Sequence, residues 1–426
     1  MLPAILLFVL TYALMLLFSN YRPYIALTSG VLFIAFGMLP ISDAFGSLDL
    51  NVLLMIGGTM GLVRLFIDSH MPDRMAEWLM ERVPNVQWAA VCLSLFAGII
   101  SAFVDNVATV LMVAPVAIAV CRKLDTNPVP FIISIAVSSN LQGAATLVGD
   151  TTAIMLGSAL DMSFADFFWY QGRPSMFFVV ELGAVLSALI VWFLFRKDKK
   201  PIHFLGARTK VTDFVPTVLL LGTIGLLIFA SFAPENWNLP AETNGLICCS
   251  VLAVGLAINV CTKRTPEALL GPLKAIDFET LGLLVGLFLM IGGITHEGVI
   301  DALARLLVKL GGGSLFLMYT IIVWASVLIS AFIDNIPYVA TMIPVIAGIA
   351  AEMGVDATAL YFGLLSGATL GGNCTPIGAS ANIAGIGILR RENYRVANRD
   401  FFRIGIPFTF AAIVPAYILI WVLFGM

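Results

Sequence analysis

The chain has 426 residues, of which 60% are hydrophobic and only 12% charged, with a formal net charge of −3 and a mean hydropathy of +1.00. An ordinary soluble domain carries about 25% charged residues, so this composition excludes one, and nothing in it favours a nucleic-acid partner. Long apolar runs recur throughout, which makes the chain an all-α polytopic membrane protein. Its six cysteines show no metal-ligand spacing and read as small hydrophobes, Cys374 excepted. Met1-Leu-Pro-Ala-Ile enters an apolar span with no basic leader, so no cleavable signal is expected.

In chain order, spans are predicted near 3–19, 23–40 and 50–67. Residues 71–82 follow, with Met71, Met75, Trp78 and Leu79 on one face, as in a helix lying at the membrane interface. The stretch 87–121 is apolar except at Asp105–Asn106, within Ser101-Ala-Phe-Val-Asp105-Asn106-Val-Ala-Thr109. Residues 128–160 begin as a helix, which Asn140, Gly143, Thr146, Gly149, Asp150 and Thr151 interrupt. Unwound backbone at depth is tolerated only where it lines a cavity or is buried in protein. A short amphipathic piece (163–172), a span at 175–195 and a basic linker with Arg196, Lys197, Lys199, Lys200, Arg208 and Lys210 complete the first half.

The second half repeats this plan, with spans near 214–233, 243–262 and 277–295 and an interfacial helix over 299–310. The apolar stretch 314–353 carries Asp334–Asn335, and a broken span over 357–388 contains Gly371-Gly372-Asn373-Cys374-Thr375-Pro376-Ile-Gly378-Ala-Ser380-Ala-Asn382. A last span covers 403–425. Residues 101–116 and 330–345 share 8 of 16 positions without a gap, and Gly143, Thr146 and Gly149 match Gly372, Thr375 and Gly378 at the same offset of 229. The expected organisation is therefore a first repeat (1–195), a linker (196–213) and a second repeat (214–426).

If each Asp–Asn stretch is a helical hairpin that returns to its own side, each half has five crossings and the two halves are inverted. With the 196–210 linker inside, every basic residue except Arg173, Arg305 and Lys309 falls on the cytoplasmic side. About ten transmembrane helices, two re-entrant hairpins, two broken helices and both termini outside is the expected topology. The charge pattern does not separate re-entrant hairpins from paired full-length spans.

A charge at mid-bilayer costs about 2.5–3.5 kcal/mol or more, so acids there mark function by default. The candidates are Asp105, Asp150, Glu181 and Asp334, with no Lys or Arg in the neighbouring apolar runs beyond Arg64 at a span's end. Unpaired acids beside hydroxyls, amides and freed carbonyls suit a Na⁺ site or a cycling proton, and helix N-termini at hairpin tips favour anions. Asp105 and Asp334 equally suit simple helix capping. Asp150 and Glu181 lack acidic counterparts, facing Ala379 and Phe410 in the other half, and the glycines suit close helix packing as well as ligand approach. Paired repeats with two broken spans point to a secondary transporter whose site lies at the repeat interface. A channel stays open as an alternative. An intramembrane aspartyl protease would need glycine where Leu147 stands.

These motifs resemble the ion transporter superfamily that holds arsenite-efflux permeases, certain Na⁺/H⁺ antiporters, citrate and divalent-anion/sodium symporters, and the melanosomal P protein. The glycine motif at 371–382 is closest to the arsenite-permease and P-protein branch. One departure is that Gly149-Asp150 is followed by Thr151-Thr152, where that branch usually has Pro-Pro-Asn. The resemblance implies a helical scaffold, a transport domain with elevator-like movement, homodimers and no organic cofactor. It assigns ion coupling by H⁺ or Na⁺ to Asp105, Asn106, Asp334 and Asn335, with Asp150 added here on its charge. Substrate contacts would come from Thr109, Asn140, Gly143, Thr146, Gly149, Thr151, Gly372, Asn373, Cys374, Thr375, Gly378, Ser380 and Asn382. Among substrates, efflux of a small inorganic species such as arsenite ranks first, with Cys374 as a soft ligand. Na⁺/H⁺ exchange and a sodium-coupled citrate or dicarboxylate carrier follow. An integral protein of the cytoplasmic membrane is expected.

Overall fold

Twenty helices account for nearly all regular structure in the computed structural model, which describes residues 1–201 and 209–426. Arg208 of the predicted linker lies outside the described residues. The first half runs α1 (Leu2–Leu17), α2 (Arg22–Ala35), the single turn α3 (Ile41–Ala44), α4 (Leu50–Asp68), α5 (Met71–Met80), α6 (Val86–Ser101), α7 (Asn106–Lys123), α8 (Val129–Gly143), α9 (Thr151–Ala159) and α10 (Met176–Leu194). The second runs α11 (Val215–Ser231), α12 (Thr243–Lys263), α13 (Glu267–Lys274), α14 (Phe278–His296), α15 (Val299–Leu310), α16 (Leu315–Ser330), α17 (Asn335–Met353), α18 (Thr358–Gly371), α19 (Ser380–Arg391) and α20 (Asn398–Phe424).

Seven described helices are long and apolar enough to cross a membrane, or eight if α15 and α16, bent by 112°, form one broken span. Another five, α1, α2, α6, α8 and α11, are apolar but only 10–17 residues long, below the ~20 residues of a full crossing. The expected interruptions are present: α8 stops at Gly143 and α9 starts at Thr151, while α18 stops at Gly371 and α19 starts at Ser380. The piece at 163–172 is not a helix. It is a 3₁₀ turn (Ala165–Phe167) followed by a two-residue hairpin, β1 (Trp169–Tyr170) against β2 (Arg173–Pro174). Gln171 and Gly172 both take positive φ, the tight turn that joins short antiparallel strands.

Equivalent elements begin 229 residues apart, at Val86 and Leu315, Asn106 and Asn335, Val129 and Thr358, Thr151 and Ser380. The packing repeats with them: α6 lies on α8 as α16 lies on α18, and α5 on α7 as α15 on α17. Other contacts cross between halves. Helix α9 packs on α17 and α19 on α7, while α2 packs on α14 and α12 on α4. Neither half therefore completes its own interior.

In lipid there is little hydrophobic drive between helices, so small residues decide which faces meet. Gly286 of α14 sits against the backbone of Ala26 and Leu27 on α2, and Gly30 faces Leu289 and the Gly286 carbonyl. On the other side Gly58 and Gly61 of α4 receive Cys248 and Leu252 of α12. These two crossings make the scaffold unit. The second unit is built from α6–α10 and α16–α20, with α10 along α20. Large apolar side chains such as Leu221, Phe229, Leu328 and Phe332 face outward. On α5 the predicted face is turned outward through Met75 and Trp78, while Pro72, Ala76 and Met80 pack inward.

Replacing Gly286 by Val would push a branched side chain into the Ala26–Leu27 backbone. The expected cost is about 1–3 kcal/mol of overpacking, read as a lower midpoint of thermal unfolding in detergent. Gly271, which has nothing within reach of an added Cβ, should tolerate Ala with no such loss.

Candidate functional site

Each Asp–Asn motif makes the tip of a hairpin because Ser101 and Ser330 end one helix and Asp105 and Asp334 cap the next. The Asp105 carboxylate accepts the amides of Val107 (3.0 Å) and Ala108 (3.1 Å), and Asp334 accepts that of Ile336 (3.3 Å). The capping role is thus real in both halves, and it fixes the carboxylates at the first turns of α7 and α17.

The broken helices clasp those tips. The Thr146 hydroxyl donates to the Ala102 carbonyl, and Thr375 donates to Ala331 in the same way. A Cβ on Gly149 would lie 2.5, 2.8 and 2.9 Å from the carbonyl oxygens of Gly143, Ser101 and Ala102. On Gly378 it would lie 2.6, 2.9 and 2.8 Å from those of Gly372, Ser330 and Ala331. No side chain fits there, which is the physical need for glycine at both positions. Asn382 closes the second loop by donating to the carbonyls of Gly372 (2.9 Å) and Thr375 (3.1 Å).

A chain of amides then crosses between halves. Asn106 donates to Asn140 (3.0 Å), Asn140 to the Thr369 carbonyl (2.7 Å) and Asn373 (3.0 Å), and Asn373 to the Val137 carbonyl (2.9 Å). Asn335 reaches the Asp150 carboxylate at 3.5 Å, and the Thr152 hydroxyl donates to it at 3.0 Å. Buried amides need such partners, since an unpaired one costs ~1–3 kcal/mol.

These contacts bring four helix starts around one cavity of 350 Å³. Its wall includes Asn106, Val107 and Ala108 of α7, Thr151 of α9, Asn335 and Ile336 of α17, and Ser380 of α19, with Asp105 and Asp150 at two of the caps. The scaffold supplies Met60, Val63 and Arg64 from α4, and Asp277 and Thr280 at the start of α14. Each helix N-terminus carries a partial positive charge of roughly +0.5, and on α7 and α17 the capping aspartates accept the amides of Val107, Ala108 and Ile336, so the cavity joins backbone dipoles to carboxylates.

Of the residues singled out by sequence, Asp105, Asn106, Asp150, Thr151, Asn335 and Ser380 line this cavity, and Gly149 edges an adjoining cleft with Asp105 and Asp150. Thr109, Asn140, Gly143, Thr146, Gly372, Asn373, Thr375, Gly378 and Asn382 stand behind the wall and hold it in shape. Thr109 is fully buried, its hydroxyl directed at the Val104 carbonyl at 3.4 Å. Cys374 and Glu181 are half-buried and off the wall.

Two expectations need correction. Asp105, Asn106, Asp334 and Asn335 do not all line the cavity, because Asp334 stands one hydrogen bond behind its wall, on Ser380. It accepts the Ser380 hydroxyl (3.0 Å) and the guanidinium of Arg22 (3.4 Å), so it is not unpaired either. Arg22 comes from the start of α2, 312 residues away in sequence, a distance no local pattern spans. Asp277 and Met60 were also missed, since one reads as a span's first residue and the other as one apolar residue among many.

A family profile described as "Citrate transporter" matches the chain over residues 6–367 and 250–426. An "uncharacterized transporter" of Mycobacterium bovis is 31% identical over 426 residues, covering 98% of this chain and 97% of that one. The P protein of Homo sapiens is 27% identical over 438 residues, covering 84% of this chain and 52% of its own length. Among solved structures, the YdaH transporter of Alcanivorax borkumensis shares the fold, with a TM-score of 0.60 at 14% identity over 89% of this chain and 87% of that one.

Gly378→Ala should abolish function by forcing the second broken helix off its hairpin tip. The carbonyl contacts imply a loss of roughly 1–3 kcal/mol, seen as a lower unfolding midpoint of the purified protein. Gly387→Ala, in the same helix but with open space around it, should leave that midpoint unchanged or raised.

Proposed function

The chain belongs to the citrate transporter (CitMHS) family of the ion transporter superfamily, and from that premise we propose an ion-coupled secondary active transporter that moves a small anion through the 350 Å³ cavity. The observation that carries this reading is the convergence of four helix N-termini, the buried Asp150 and the half-buried Asp105 on one cavity wall.

The electrostatics give coupling a physical form. Four helix termini supply about +2 in partial charge, and ionised Asp105 and Asp150 offset it. A proton or a Na⁺ on these carboxylates leaves the cavity net positive, ready for an anion drawn by the dipoles of the four first turns. Without the cation, the carboxylates repel the substrate at close range in a poorly solvated space. Cation and anion therefore bind together, which is the requirement for coupled transport.

The description of the matching family supports citrate or a related carboxylate as the anion. Arsenite, ranked first on Cys374 as a soft ligand, gains no support here because that thiol is off the cavity wall. Na⁺/H⁺ exchange is the second reading, favoured by three wall carboxylates, Asp105, Asp150 and Asp277, against the single Arg64. The unit of α6–α10 and α16–α20 would travel as an elevator against the scaffold of α2, α4, α12 and α14, in a homodimer in the cytoplasmic membrane. The cavity is walled by Arg64 and Asp277 near the ends of α4 and α14, so it would face the cytoplasm, with both termini outside.

Reconstituted protein should accumulate radiolabelled citrate when an H⁺ or a Na⁺ gradient is imposed separately, and one gradient should suffice. Asp105→Asn should reduce gradient-driven uptake by about tenfold or more, the equivalent of ~1.4 kcal/mol of lost binding. Proton flux driven by Na⁺ with no anion present would favour the exchanger reading. Currents without saturable counterflow would mark a channel and end the proposal.

A further inference from the structure

The hairpin-tip acids Asp105 and Asp334 occupy equivalent positions 229 residues apart, yet their surroundings differ. Asp105 lines the cavity and, among the described residues, makes no ion pair; its second oxygen has no partner beyond the two backbone amides on the first. Both oxygens of Asp334 have partners. One oxygen accepts the Ile336 amide at 3.3 Å, and the other accepts the Ser380 hydroxyl at 3.0 Å and the Arg22 guanidinium at 3.4 Å.

Arg22 is the only basic residue in the first 63 positions and stands at the first turn of α2. A cation is disfavoured at a helix N-terminus, so its placement there needs a compensating partner. Its Nε also donates to the Met15 carbonyl at 3.3 Å, which fixes the guanidinium, and its side chain is only 22% exposed. The preceding helix joins the same hairpin, since the Tyr12 hydroxyl of α1 donates to the Pro337 carbonyl at 2.8 Å. The corresponding helix of the other half, α12, opens Thr243-Asn244-Gly245 with no basic residue in its first turn.

We propose that Arg22 is a resident counter-cation that takes the place of a second coupling ion at Asp334, so that exchangeable cations bind only on the Asp105 side. The proposal rests on the ion-coupled reading above and sets its stoichiometry. The duplication puts a capping carboxylate at both hairpin tips; here a fixed guanidinium neutralises one of them and leaves the other to the transported ion. The same pair ties the second hairpin to the scaffold, which makes one tip stationary in this state while the other faces an open cavity.

The test counts cations on purified full-length protein in detergent, using radiolabelled Na⁺ at equilibrium and proton uptake after an acid pulse. Arg22→Gln should bind one cation more per chain than the wild type, and adding Asp334→Asn should remove the extra one. Arg22→Lys should match the wild type. An Arg22→Gln protein that stays monodisperse and binds the wild-type number overturns the proposal. If Arg22→Gln does not fold, the neutral pair Arg22→Gln/Asp334→Asn decides alone, and a count below the wild type overturns it. A wild type that binds neither ion fails the ion-coupled reading itself, so the two failures are told apart by which protein fails.

Discussion

The structure depends on backbone packed directly against backbone at two glycines. Gly149 and Gly378 let the unwound stretches of the broken helices touch the carbonyl groups at the hairpin tips, and the Thr146 and Thr375 hydroxyls hold them there. Once these contacts exist, the starts of α7, α9, α17 and α19 have nowhere to point except at each other. The cavity, its partial charges and the positions of its carboxylates follow from that clasp. A methyl group at either glycine would separate the elements by more than the site can absorb, because carbonyl oxygens on a hydrogen-bonded backbone have little freedom to retreat.

Repetition supplies the frame and small departures from it supply direction. Where the first half sets Gln142 against Gly98, the second sets Gly371 against Val327, so the large and small partners trade places while the helices keep their spacing. Asp150 caps α9 on the cavity wall, whereas its counterpart Ala379 caps α19 with no charge. Asp334 meets a guanidinium and Asp105 meets open space. A strictly symmetric site would hold its ligand equally towards both sides. These substitutions give one hairpin tip the open cavity and the other an ion pair.

Much of this was legible in the chain. The constant offset of 229 joins two independent motifs, and the apolar runs around them are too long for soluble helices, so a duplicated helical membrane fold follows from residue pattern alone. The broken spans were legible because glycine, asparagine and threonine cluster where a continuous helix would bury unpaired polar groups. Residues that touch the cavity could not be told from residues that shape it. Asn140, Thr146 and Asn382 share the chemistry of Asn106 and Thr151, and only packing puts them behind the wall. Arg22 was invisible as a partner of Asp334 because its neighbours in sequence form an ordinary turn. The hairpin at Trp169–Pro174 left no trace in the residue pattern because its two strands are too short to show alternation.

The central claim is that four helix starts and the adjoining carboxylates form one site for a cation and an anion together. The most direct test is an experimental density map of the protein in lipid nanodiscs with citrate and Na⁺ at saturation. The account predicts ligand density within the cavity, against the first turns of α7, α9, α17 and α19, with Asp105 at its edge. Density elsewhere, or hairpin tips standing apart from Gly149 and Gly378, would contradict it.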